Sequence, residues 1–249
     1  MTAAPGDQPR GDVSRETTAP PPAAAAVFGP ALGQARAFAE LLTGPGVERG
    51  LLGPRETARI WDRHLLNCAV LTDLIEPAAR VIDVGSGAGL PGVVLAIRRP
   101  DLQMVLLEPL QRRADFLRET CAALALVNVE VLRARAEDVP AELPRADVVT
   151  ARAVAPLDRL VGWCLPLLRP GGRLLALKGD QAAREVADAA ATLRRLGTVD
   201  TSILQMGLDV LDEPTTVVTV TAGMSAAVRS EQRSGHRRQP GGGRGGART

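Results

Sequence analysis

The sequence predicts an α/β fold: a Rossmann-like, doubly wound sheet of seven strands preceded by a helical extension. Short apolar runs alternate with stretches of helical period from Arg80 to Leu196, the signature of parallel strands covered on both faces. The last two apolar runs follow each other with no helical stretch between them, so they are expected to pair antiparallel and close the sheet. The first run leads straight into a glycine-rich turn, as it does where such sheets bind ligands.

Residues 1–26 are rich in Pro, Ala, Thr and Gly and close on Pro20-Pro21-Pro22 and an alanine run. That composition buries too little apolar surface to order itself, so a disordered leader is expected. From Val27 to Leu42, residues Val27, Leu32, Ala35, Phe38, Ala39, Leu41 and Leu42 recur at helical spacing, and Gly44-Pro45-Gly46 is expected to break the helix. A second helix is expected from Glu56 to Leu74, with Ile60, Trp61, Leu65, Cys68, Ala69, Leu71 and Leu74 on one face. Residues 27–79 thus form an N-terminal helical region.

Strands are expected at Arg80–Val84, Gln103–Glu108, Val129–Leu132, Ala146–Thr150 and Arg173–Leu177. Helices fit between and after them at Gly92–Arg99, Arg112–Leu124, Pro156–Leu168 and Gln181–Leu196. Val199–Gln205 and Thr216–Thr221 supply the antiparallel pair and complete a sheet domain spanning residues 80–224. Residues 225–249, which include Gly241-Gly242-Gly243-Arg244-Gly245-Gly246, are expected to be a disordered basic tail.

A chain of 249 residues with 45% hydrophobic content suits one sizeable core better than two. It holds no apolar run of membrane-spanning length, and Met1–Arg15 lacks a signal-peptide pattern, so a cytoplasmic protein without membrane contact is expected. Cys68, Cys121 and Cys164 lie far apart, and the histidines are His64 and His236 alone; neither a disulfide framework nor a metal site is expected. The total charge is +2, but Arg229–Thr249 holds six arginines against Glu231, a net +5, which leaves −3 on the rest. Attraction to nucleic acid must therefore come from local arginines or from the tail. Lys178 is the sole lysine in an arginine-rich chain, which suggests a site that needs a compact ammonium.

The stretch that bears most on function is Val81-Ile82-Asp83-Val84-Gly85-Ser86-Gly87-Ala88-Gly89-Leu90-Pro91-Gly92, a strand, a turn and a helix start. Glycines let the chain turn sharply and let backbone approach a ligand with no Cβ between. Gly87, Gly89 and Gly92 also satisfy G-x-G-x-x-G, so a dinucleotide competes with S-adenosyl-L-methionine as the ligand. The methyl donor is favoured because the turn opens at Gly85, Asp83 at the strand end can face a cationic amino group, and Pro91 suits a helix start. Glu108, at the end of the second strand, can accept from ribose hydroxyls under either reading. The closing strand pair, where a dehydrogenase continues its βαβ alternation, also favours the seven-stranded class I methyltransferase sheet.

From Trp61 to about Gly179 the chain resembles the ribosomal RNA small-subunit methyltransferase G family, once called glucose-inhibited division protein B. The resemblance is carried by Trp61-Asp62-Arg63-His64-Leu65-Leu66-Asn67, by the glycine turn with its Gly89-Leu90-Pro91-Gly92 ending, by Thr150-Ala151-Arg152-Ala153 and by Leu177-Lys178-Gly179. It implies transfer of a methyl group from S-adenosyl-L-methionine to N7 of one guanosine in 16S ribosomal RNA, at position 527, within the small ribosomal subunit. It also implies that Gly85, Leu90, Ala136, Glu137 and Arg152 hold the donor, in a site to which Gly87 also belongs.

Transfer from a sulfonium to guanine N7, which already bears a lone pair, requires alignment and electrostatics and no general base. The segment after the fourth strand fits: it carries neither an Asn/Asp-Pro-Pro-aromatic motif nor a nucleophilic cysteine. Arg152 can fork onto the donor carboxylate or an RNA phosphate, and Lys178 can meet the guanine or its phosphate; both are positioning candidates. Arg112 and Arg113 open a helix, where cations oppose the dipole, so an RNA phosphate is a plausible neighbour for the pair. His64 reads as a packing histidine rather than a catalyst. A small-molecule methyltransferase and a non-catalytic RNA-binding assembly factor remain as rivals, and a monomer is expected.

Overall fold

A computed structural model describes residues 19–224. The expected leader and basic tail therefore lie mostly outside the described residues. Part of the segment expected to be disordered is ordered: a helix α1 (Pro22–Phe28) begins inside it, with Ala24 fully buried. The alanine run that reads as low complexity is also a good helix former, and packing of Ala24, Val27 and Phe28 fixes it in place.

After a short 3-10 turn, α2 (Leu32–Leu41) buries Ala35, Phe38 and Ala39. Gly44-Pro45-Gly46 does not break it. The chain widens into a π turn over Leu42–Gly46 that contains Pro45, and stays helical to Glu48. Proline tolerates this wide turn because its missing N–H removes only one bond, and the flanking glycines bring no side chains into the crowded turn. The second expected helix is likewise irregular: a 3-10 turn Pro54–Arg59, a π segment Ile60–Leu66, α3 (Asn67–Ala69) and a 3-10 turn Val70–Leu74. Its expected apolar face is buried from Ile60 to Leu71, and Leu74 is partly exposed.

The sheet has the order β3-β2-β1-β4-β5-β7-β6. Its strands are β1 (Arg80–Val84), β2 (Gln103–Leu107), β3 (Val129–Leu132), β4 (Ala146–Arg152), β5 (Leu168–Lys178), β6 (Thr198–Met206) and β7 (Thr215–Ala222). The first five run parallel, and β7 lies antiparallel between β5 and β6. The seven-stranded class I methyltransferase arrangement is therefore present, with the expected hairpin completing it. Helices α4 (Gly92–Arg98) and α5 (Gln111–Ala123) cover one face, and α6 (Leu157–Cys164) and α7 (Ala182–Leu196) the other.

Two strands are longer than expected. β4 continues two residues past the expected Thr150 through Arg152, and the chain turns only at Ala153, whose φ is 54°. β5 begins at Leu168, where a 3-10 turn replaces the last part of the expected helix, and its register with β4 shifts between Ala146 and Val148. The Pro170-Gly171-Gly172 interruption hides this early start from any periodicity argument.

Side chains alternate between the two cores as the pleat requires. Val81, Met104, Leu106, Leu175 and Val217 face the first, while Ile82, Val84, Val105, Leu174 and Val218 face the second. The N-terminal helical region belongs to the first core, where it packs against α4 and α5 and reaches β5 and β7. Thr215 Oγ1 donates to the Asn67 carbonyl at 3.3 Å, and Arg173 Nη2 donates to the Leu74 carbonyl at 2.6 Å. This placement brings residues 51–64 to the carboxyl edge of β1 and β4.

Candidate functional site

A cleft of about 400 Å³ opens at that edge. Its floor is the turn Gly85–Ala88 with Leu90, one wall is Glu108-Pro109-Leu110 with Arg113, and the other is Arg152-Ala153-Val154. Leu51, Leu52 and His64 come in from the N-terminal region. Of the residues singled out in the sequence, the structure gathers Gly85, Gly87, Leu90, Glu108, Arg113 and Arg152 here.

The glycines are required by the backbone at two positions above all. Gly85 has φ +70°, and a Cβ there would stand 2.9 Å from Val154 Cγ2. Gly89 has φ +98°, and a Cβ would stand 2.6 Å from Val93 Cγ2. L-residues rarely adopt either conformation, so the turn is glycine for conformational as well as steric reasons. Ala153 at φ 54° faces the same cleft, a non-glycine residue held in the left-handed region at a candidate site.

Glu108 is buried. Its Oε2 accepts from the Gly87 N–H at 3.0 Å and its Oε1 from the Leu110 N–H at 2.9 Å. The carboxylate thus ties the glycine turn to the start of α5, with lone pairs left on both oxygens. Arg113 lines the cleft from the first turn of α5, while Arg112 is exposed beside it.

Two of the expected assignments are corrected by the structure. Asp83 does not face the cleft: it is wholly buried, Oδ1 accepting from Thr150 Oγ1 at 2.9 Å and Oδ2 from the Gly92 N–H at 3.1 Å. It braces the glycine turn from below, and Gly92 leaves no room for a Cβ, which would stand 2.7 Å from Asp83 Oδ2. Lys178 does not project outward: Nζ donates to the Ala155 carbonyl at 2.8 Å and to Glu185 Oε2 at 2.7 Å, with only 9% of the side chain exposed. The same Glu185 oxygen accepts from the Leu157 N–H at 2.8 Å, so this cluster clamps the segment after β4 to β5 and α7. Ala136 and Glu137 sit in a 3-10 turn that follows β3, Glu137 exposed and Ala136 packed against the second core.

Burial pushes the Asp83 carboxyl up to about 6, against the lowering effect of its hydrogen bonds. A carboxyl raised above its unfolded value stabilises the fold most when protonated, so its contribution is present at acid pH and lost as pH rises through about 6. Asp83→Asn should therefore flatten this part of the pH dependence. Urea unfolding at pH 4.5 and 7.5 checks it, and a variant whose pH dependence matches the wild type would contradict the assignment.

Arg152 and His64 form a connection that the sequence did not disclose. Arg152 Nη1 donates to Cys68 Sγ at 3.2 Å, and Nη2 to His64 Nδ1 at 2.7 Å and to the Arg63 carbonyl at 3.4 Å. His64 Nε2 lies 2.8 Å from Glu56 Oε2. Since guanidinium only donates and carboxylate only accepts, His64 is neutral with its proton on Nε2. Burial and the Arg152 charge hold its pKa below the usual value. The aromatic residues lie elsewhere: Phe38, Phe116 and Trp61 are buried in the first core, and Trp163 packs beneath Arg159.

The family rRNA small subunit methyltransferase G matches residues 31–210. The chain belongs to this family. It is 53% identical to the ribosomal RNA small subunit methyltransferase G of Mycolicibacterium gilvum, over 90% of this chain and 98% of that one. To the protein of the same name from Streptomyces avermitilis it is 55% identical, over 82% of this chain and 86% of that one. A putative O-methyltransferase from Klebsiella pneumoniae shares the fold at a TM-score of 0.53 and 16% identity, covering 75% of this chain and 90% of its own. A predicted O-methyltransferase from Agrobacterium tumefaciens does so at 0.51 and 22%, covering 64% and 81%. Family membership makes the chain an rRNA methyltransferase whose methyl donor is S-adenosyl-L-methionine. The cleft suits that donor: a cradle of backbone that a Cβ would fill, a buried carboxylate, and the apolar walls Leu51, Leu52, Leu90 and Leu110.

Proposed function

We propose that the chain methylates N7 of one guanosine in 16S ribosomal RNA, the one at position 527, acting in the cytoplasm as a monomer on the small ribosomal subunit or its RNA. The supporting observation is what the cleft lining lacks. Among the described residues, its titratable members are His64, Glu108, Arg113 and Arg152. Both nitrogens of His64 are already engaged, Glu108 is held by two backbone N–H groups with its remaining lone pairs turned to the donor's hydroxyls, the guanidinium groups only donate, and no thiol is among them. A hydroxyl or carbon acceptor requires a base or a nucleophile, whereas guanine N7 requires only orientation.

S-adenosyl-L-methionine supplies a methyl group on a sulfonium whose positive charge disappears on transfer. Gly85, Gly87 and Leu90 bind it closely, Glu108 accepts from its hydroxyls, and Arg152 offers its remaining N–H groups to the donor carboxylate or an RNA phosphate. Arg113 and Arg112 draw the RNA backbone toward the mouth by charge, which makes their contribution sensitive to salt.

Labelled donor incubated with small subunits that lack the modification should place label in 7-methylguanosine after digestion to nucleosides. Arg112→Glu with Arg113→Glu should lower the rate about tenfold or more at low salt, from two lost phosphate contacts. Donor binding with no label in RNA would favour a metabolite-directed enzyme or an RNA-binding assembly factor instead.

A further inference from the structure

We infer that His64 is the positioning residue for Arg152, so that the N-terminal helical region, through the Glu56-His64-Arg152 chain, sets the geometry of the donor cleft. The inference rests on the reading that the cleft holds S-adenosyl-L-methionine.

The three groups come from three places. Glu56 is in the 3-10 turn Pro54–Arg59, His64 in the π segment Ile60–Leu66, and Arg152 at the end of β4. His64 is 6% exposed and lines the cleft, yet neither ring nitrogen is available to a ligand. Its ring is a rigid spacer that passes the Glu56 carboxylate's preference on to Arg152. The carboxylate accepts a hydrogen bond from Nε2–H and so keeps the ring proton there, which leaves Nδ1 as the acceptor that Arg152 meets at 2.7 Å. The Arg63 carbonyl in that π segment and Cys68 Sγ in α3 just after it hold the same guanidinium. An arginine loses several rotatable bonds' worth of freedom when fixed, so prior fixation lowers what donor binding must supply.

The arrangement has a protonation consequence. The charged groups that face His64 are Glu56, Arg63 and Arg152. A second proton on the ring can go only to Nδ1, which turns an acceptor into a cationic donor directly opposite a guanidinium. The contact then becomes repulsive, and Arg152 is released or displaced. Burial and Arg152 oppose that proton, and Glu56 favours it. A histidine with a lowered pKa stays neutral through neutral pH, and the hold on Arg152 is lost as pH falls below the usual histidine range.

Two replacements separate the two arms. His64→Asn puts a non-titrating carbonyl oxygen where Nδ1 stood, facing Arg152, and gives up Glu56. His64→Gln reaches Glu56 with its amide and gives up the acceptor for Arg152. The experiment is calorimetric binding of S-adenosyl-L-methionine to the full chain from pH 7.5 to 5.0, with thermal melts run alongside. Asp83 also titrates in this range, so the deciding quantity is the difference between wild type and His64→Asn. We expect the wild-type Kd to rise at least about threefold more than that of His64→Asn over this interval, half a decade being well within one proton's linkage. We also expect His64→Gln to bind about tenfold more weakly than His64→Asn at pH 7.5, for one lost charge-assisted hydrogen bond.

Equal pH dependence in wild type and His64→Asn would overturn the inference, as would His64→Gln binding as tightly as His64→Asn. Should His64→Gln fail to fold, the comparison of wild type with His64→Asn decides alone. Absence of donor binding by the wild type at every pH would instead overturn the donor reading of the cleft, and donor binding without RNA methylation would overturn the RNA reading while leaving the His64 comparison intact.

Discussion

Gly85→Asp should weaken donor binding and methyl transfer by about a hundredfold or more, equivalent to about 3 kcal/mol. Three effects act together. The φ of +70° disfavours any L-residue, and the new Cβ would meet Val154 Cγ2 at 2.9 Å and Cγ1 at 3.3 Å. The new carboxylate would then enter the cleft near buried Glu108, raising the cost of a second negative charge in a confined space. Finally, the side chain would occupy the volume that the glycine leaves open. Calorimetry and initial rates read the loss, and a melting curve confirms that the sheet survives. A variant that binds the donor within threefold of wild type would show that the floor of the cleft is not where the donor lies.

Glu185→Ala should destabilise the fold by about 2–3 kcal/mol, because removal of one partner leaves a buried charge uncompensated. The Lys178 side chain is 9% exposed and would retain only the Ala155 carbonyl, while the Leu157 N–H would lose its acceptor at the start of α6. Glu185 itself is 25% exposed, which admits some water and keeps the figure below the full value for a sealed pair. The melting temperature should fall by roughly 5–10 °C on the scale for a domain of this size. Lys178→Met combined with Glu185→Leu should recover most of the loss, since apolar replacement removes both charges together. If Glu185→Ala melts within a degree of wild type, the clamp contributes little and Lys178 is free to move outward.

The sequence read best where physics repeats locally. Alternating and helical periods located β1 and β3 to the residue and β2, α4 and α5 to within one, because those segments bury one face or both in the ordinary way. The glycine turn was equally legible, since only glycine satisfies a run of positive φ values. The irregular N-terminal turns were not: a 3-10 turn running into a π segment has no hydrophobic period of its own, and here burial against the sheet decides the backbone. Within the site, residues that act through neighbours in sequence were visible, and those that act through partners far along the chain were not. Arg152 and His64 are 88 positions apart, and nothing near either announces the other. Lys178 at a strand end suggests contact with the guanine or its phosphate, whereas its partners are the Ala155 carbonyl and Glu185, which no local pattern announces.

The position of β7 bears on the order in which the chain can assemble. It is the last strand among the described residues, yet it lies inside the sheet, between β5 and β6. During synthesis, β6 therefore emerges with no neighbour to pair with, and β5 waits with an open edge. The two strands beyond β5 can join the sheet only once Thr215–Ala222, which bonds to both β5 and β6, has been made. Until then the carbonyl of Asn67 lacks its Thr215 partner, so the N-terminal region, made first, gains its full seat on the sheet only when the described chain is nearly finished. A nascent chain stalled before Thr215 would expose two strand edges at once, which makes it a candidate for chaperone capture or for pairing with another copy.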